Sequence, residues 1–89
     1  MKDLKETIDL MISDDYRDRF KAEYQQTKIR YEKLKNICNR IEAANAGLNV
    51  ALPEHNCPYW LLQEQQRNMG EYLHTLEQRA LVEGIELEV

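Results

Sequence analysis

Phe20, Tyr24, Thr27, Tyr31, Leu34, Cys38 and Ile41 follow one another by alternating steps of four and three residues. That spacing sets them all on one stripe of a helix, and no Gly or Pro interrupts residues 16–46. A second stripe runs through residues 59–82, with Leu62, Met69 and Leu76 seven apart and Tyr72, Leu73 and Ala80 beside them. One turn-rich stretch, residues 47–57, separates the two. Two long amphipathic helices joined by a short connection fold back on each other, so the fold class is all-α. The expected architecture is an antiparallel two-helix hairpin with a short N-terminal helix, oligomeric, in a single domain over residues 1–89. A hairpin offers no scaffold for a deep active site. It points to interaction, assembly or ligand capture.

Local signals place the boundaries at about 2–12, 15–46 and 58–82, with a tail over 84–89. Leu4, Ile8, Met11 and Ile12 share one face of the first segment. Ser13, Asp14 and Asp15 are N-cap residue types, and their charge suits the positive end of the helix that follows. Gly47 is suited to the left-handed conformation that ends a helix, and Pro58 to the first position of the next. In the connection, Leu48, Val50 and Leu52 are apolar, so it should fold over the end of the hairpin. Gly70 lies inside the second long helix, where a close approach of the two helices would explain it. The tail Ile85-Glu86-Leu87-Glu88-Val89 alternates with the period of a strand, and a lone strand must pair, dock or fray.

The expected core is Phe20, Tyr24, Tyr31, Leu34, Ile41, Leu62, Met69, Tyr72, Leu73 and Leu76. One seam does not use every apolar residue. Tyr16, Ile29 and Ile37 on the first long helix, and Tyr59, Trp60 and Leu61 on the second, lie outside it and are candidate interface residues. Leu81 and Val82 add to this surplus. A monomeric hairpin would expose a large apolar patch, so self-association is expected, with the N-terminal helix covering a second face within one subunit as the alternative. Tyr59 and Trp60 serve equally well as interface anchors or as caps on the hairpin core.

Charge is unevenly spread. The 89 residues carry a net charge of −4, yet residues 16–40 alone carry +5, residues 1–15 carry −3 and residues 41–89 carry −6. Within the basic helix, Arg17, Lys21, Lys28 and Lys35 line one edge of the stripe beside Tyr24 and Tyr31. Tyrosines can stack on bases and cations can neutralise phosphates, which makes Arg17, Lys21, Tyr24 and Lys28 candidate ligand-binding residues. The same lysines can equally shield the seam with their stems and pair with Glu64 and Glu71 of the other helix.

No catalytic constellation is present, so no enzyme is expected. His55 and Cys57 are two metal-ligand types without the second pair that zinc requires, and neither metal nor cofactor is expected. Cys38 and Cys57 are too far apart along the hairpin to be bridged and should be free thiols in a reducing compartment. No window approaches the ~18 continuous apolar residues of a membrane span, and the N-terminus does not read as a signal peptide. Long nucleic acid is an unlikely partner for a chain of negative net charge without a reading motif.

Residues 61–80, LLQEQQRNMGEYLHTLEQRA, resemble the second helix of a family of short phage proteins named after an open reading frame of a crAss-like phage. Leu61, Leu62, Gln65, Met69, Tyr72, Leu76 and Arg79 carry the resemblance, while Gln66 stands where that pattern is aliphatic. The first long helix, DYRDRFKAEYQQTKIRYEKL, is similar through its Tyr, Arg and Glu spacing. The resemblance implies a bacteriophage accessory protein of the host cytoplasm. In size and architecture the chain is also similar to the anti-CBASS and anti-Thoeris sponges, helical oligomers that capture cyclic nucleotide signals. The expected function is therefore counter-defence, either by sequestering a cyclic nucleotide immune signal or, alternatively, by binding a host defence protein or acting as an assembly adaptor. Light scattering at micromolar concentration should give a mass above the 10.6 kDa of one chain. A folded species of single-chain mass would refute the surplus-face reading.

Overall fold

A computed structural model describes residues 3–87. A short 3-10 turn, Leu4–Thr7, leads into α1, Ile8–Met11. Two long helices follow, α2 at Tyr16–Asn45 and α3 at Tyr59–Glu83, and no strand occurs among the described residues. Tyr16 reaches Glu83 at one end of the rod and Tyr59 reaches Glu42 toward the other, which makes the long helices antiparallel. The whole measures 48 × 25 × 20 Å.

The helix ends follow from local chemistry. Asp15 caps α2 by accepting the Arg17 N–H at 2.9 Å, and Ser13 Oγ donates to Asp18 at 2.8 Å. At the other end Gly47 takes a φ of 80°. There Leu48 N–H donates to the Ala43 carbonyl and Gly47 N–H to that of Ala44, closing a Schellman motif. Pro58 precedes the first helical residue of α3 instead of occupying it, because its ψ of 145° is extended; its carbonyl accepts from Leu61 and Leu62. Gly84, at a φ of 69°, ends α3 and turns the chain back.

The core between α2 and α3 is built from Phe20, Tyr24, Leu73, Leu76 and Ala80, closed by Ile85. Ile41 and Cys38 are also buried, while Tyr31, Leu34, Leu62 and Met69 are half-buried. Tyr72, expected in the core, is 43% exposed. Leu73 takes the inward position, and one residue back is about 100° around the helix, on its flank. The tail forms no strand over its described part. Ile85 is buried and Leu87 packs against the core, because the left-handed turn at Gly84 returns them to it. Residues 88 and 89 of that expectation, and Lys2 of the N-terminal helix, lie outside the described residues.

A second stripe of α2, formed by Ala22, Gln25 and Ile29, is buried as well. The N-terminal segment lies against α2, with Thr7 fully buried and Gln26 Nε2 donating to Thr7 Oγ1 at 2.9 Å and to Met11 Sδ at 3.4 Å. Ile29, expected on an outward interface, is therefore enclosed within its own chain. The connection does not fold over the hairpin end: Leu48, Val50 and Leu52 are all exposed, since the Schellman turn directs the chain away from the seam. Leu76→Ala should cost ~2–5 kcal/mol in urea unfolding, and Leu34→Ala clearly less, because only Leu76 is fully buried. Equal effects at the two sites would mean that the seam is displaced.

Candidate functional site

Tyr31 sits on the α2 stripe opposite Gly70 of α3. A Cβ at Gly70 would lie 3.4 Å from the Tyr31 ring, an ordinary contact, so the ring stands close to α3 here and only a side chain larger than that of Ala would collide with it. Beside this contact a groove of about 770 Å³ runs between the helices. Its α2 wall includes Tyr31, Cys38 and Asn39, and its α3 wall includes Tyr59, Gln66 and His74.

A tyrosine reaches across to a glutamate at one end of the groove, and a second such pair lies farther along the helices, outside the groove lining. Tyr59 Oη donates to Glu42 at 3.4 Å, and both residues line the groove. Toward the opposite end, Tyr24 Oη donates to Glu77 at 2.7 Å. Glu77 lies seven residues beyond Gly70 and three beyond His74, on the groove side of α3. Tyr24 is only 4% exposed, and this burial, with the Glu77 carboxylate beside it, pushes its pKa up to about 12. Burial also raises Tyr59, with the charge of Glu42 adding to it, and burial raises the Cys38 thiol.

The candidate ligand residues of α2 divide. Tyr24 is a core residue whose ring cannot act as an open platform. Arg17 is exposed, and Lys21 and Lys28 are half-buried, with Lys28 Nζ 5.7 Å from the centre of the Tyr24 ring. The expected pairing of the seam lysines with Glu64 and Glu71 is absent. Both glutamates are taken by Arg67 of their own helix, and neither Arg17, Lys21, Lys28 nor Lys35 forms an ion pair with a described carboxylate. Arg79 likewise pairs with Glu83 while lying over the Phe20 ring and donating to Tyr16 Oη at 2.6 Å. Tyr16 is thus tied within the chain, half in solvent. Cys38 and Cys57 are both free, the first buried and the second exposed.

Gln25 was no candidate from sequence. It lies between Lys21 and Lys28 on the same edge of α2, is 6% exposed, and neither polar atom of its side chain has a hydrogen-bond partner. A polar residue at spacing of three and four from two unpaired cations was the available signal. The remaining interface candidates divide between the two ends and the flank. Trp60 is 65% exposed and Leu61 and Ile37 are partly so, while Tyr59 is half-buried at the groove. Leu61 and Tyr72 also line a smaller, more apolar depression of about 430 Å³ on α3, together with Met69.

A model of the Sequestin family matches residues 14–81, the stretch that holds both long helices and the loop between them. The chain belongs to the Sequestin family. That name is compatible with a sequestering role and suggests the binding of some partner. No match is found among curated proteins or among solved structures. No helix among the described residues is long and apolar enough to cross a membrane.

The raised pKa of Tyr24 gives a signed prediction. Folding favours its neutral phenol, so its contribution to stability is complete below pH 10 and is lost as pH rises from there through about 12. Unfolding free energies measured by urea across that window should fall more steeply for the wild type than for Tyr24→Phe. Parallel slopes would mean that Tyr24 is not enclosed as described.

Proposed function

We propose that this Sequestin-family chain is a bacteriophage counter-defence protein acting in the host cytoplasm. It self-assembles and sequesters a cyclic nucleotide immune signal without catalysis. The observation that carries the reading is the cationic edge of α2. Arg17, Lys21 and Lys28 stand in a segment of net charge +5 and pair with no described carboxylate, while Glu64 and Glu71 close on Arg67. A cluster of cations without such partners supports an anionic ligand for this edge. The unpartnered amide of Gln25 between Lys21 and Lys28 supports the same edge, since an unsatisfied buried amide costs free energy until a partner arrives. The family match supports capture as the mode of action.

Self-association draws support from Leu81 and Val82, which are 83% and 87% exposed, and from the apolar depression at Leu61, Met69 and Tyr72. A second reading, a module that inhibits a host defence protein or acts as an assembly adaptor, is favoured by the exposure of Trp60 beside Leu61.

Calorimetry with cyclic di- and trinucleotides and cyclic ADP-ribose isomers separates the two. At least one should bind below ~100 μM, more weakly as salt rises, and Lys21→Ala or Lys28→Ala should reduce its affinity. If none binds, the inhibitor reading replaces the sponge. If one binds and both alanine variants retain full affinity, the basic edge is not where it binds.

A further inference from the structure

The geometry points to the groove between α2 and α3 as a nucleotide site, with the base held in the groove and the phosphates held by Lys28 and Lys35 at its α2 margin. This rests on the sequestering reading and assigns a place for the base within it.

The groove is lined with the groups that recognise a planar heteroaromatic ring. Tyr31 and Tyr59 offer faces for stacking, and Asn39, Gln63, Gln66 and His74 offer donors and acceptors for its edge. Gln66 is the telling residue. It occupies the core stripe between Leu62, Met69 and Leu73, where an aliphatic side chain would pack, and it is half-buried. Its amide lines the groove, where it can donate to and accept from the edge of a bound ring. The groove itself is not an anion site. Arg67 on its rim is occupied by Glu64 and Glu71, and Glu42 adds a carboxylate. A neutral base and sugar fit such a lining, and a phosphate does not. The cations lie just outside. Lys35 is one helical turn from both Tyr31 and Asn39, and Lys28 is one turn before Tyr31, so both stand along the α2 margin of the groove. Neither is neutralised by a described carboxylate. A ligand carrying both a base and phosphate uses the whole arrangement, whereas a nucleoside or a bare phosphate uses half.

The test titrates the full chain with cyclic di-AMP, ADP-ribose, adenosine and inorganic pyrophosphate. Cyclic di-AMP or ADP-ribose should bind at least about tenfold tighter than adenosine or pyrophosphate. Gly70→Leu, which fills the groove beside Tyr31, and Gln66→Ala should each weaken that binding about tenfold, with helicity and light-scattering mass unchanged. Gly70→Ala should retain affinity, since its Cβ meets the Tyr31 ring at 3.4 Å, an ordinary contact. Should Gly70→Leu fail to fold, the wild type decides by nuclear magnetic resonance. The side-chain amide signals of Asn39, Gln63 and Gln66 should shift on titration while those of Asn45 and Gln78 stay in place. Binding without those shifts, or with full affinity in Gly70→Leu, overturns the groove assignment and leaves the sponge reading standing. Groove shifts with ADP-ribose while no cyclic nucleotide binds do the reverse. Absence of binding by all four probes overturns the groove assignment, and the cyclic-nucleotide panel then decides the sponge reading separately.

Discussion

Tyr31 of α2 stands opposite Gly70 of α3, where a Cβ would already meet its ring at 3.4 Å. Gly70 lowers helix propensity by about 1 kcal/mol relative to Ala. In exchange, the tyrosine ring lies against α3 where a larger side chain would hold the helices apart. The rest of the groove side is arranged around that point. On one side of it Tyr24 reaches from α2 to Glu77, and on the other Tyr59 reaches from α3 to Glu42. These are reciprocal ties, each helix lending a hydroxyl to a carboxylate on its partner. The bond at Tyr24 is buried at the phenol and so contributes more than the longer one at Tyr59.

Electrostatics follows from the same geometry. Helices of opposite net charge would be expected to neutralise each other across the seam. They do not, because the seam is occupied by rings and aliphatic side chains, and the α3 acids find closer arginines three or four residues away on their own helix. An exposed pair within one helix is weak, yet it removes the counter-charge from the α2 lysines. The chain therefore keeps a basic edge on a molecule of negative net charge. Beside that edge lies a groove whose lining is polar, aromatic and locally balanced in charge.

The apolar surface left over is divided between the ends and one flank of the rod. Ile8, Met11, Ile12, Leu81 and Val82 belong to the end where α2 begins and α3 finishes, and Leu48, Val50, Leu52 and Trp60 to the other. Leu61 and Tyr72 lie along the flank. A two-helix hairpin has too little interior to enclose all of these.

The sequence by itself determined the elements. Heptad spacing specified two long helices, and Asp15, Gly47 and Gly84 marked where they begin and end, because capping depends on residues a few positions apart. It also located the unusual charge of residues 16–40 and the oddity of Gln66. Tertiary structure alone decided which way the stripes face. Tyr72, expected inside with Phe20, Tyr24 and Leu76, is on a flank, and Ile29, expected outside, is buried within a chain whose N-terminal segment lies against α2. The candidate site was legible in part for the same reason. Lys21 and Lys28 announced themselves by spacing along one helix, whereas the burial of Tyr24, the orphaned amide of Gln25 and the groove beside Tyr31 exist only once separate segments are brought together. Spacing along a chain reports what shares a face, and only the packing of one face on another reports what that face encloses.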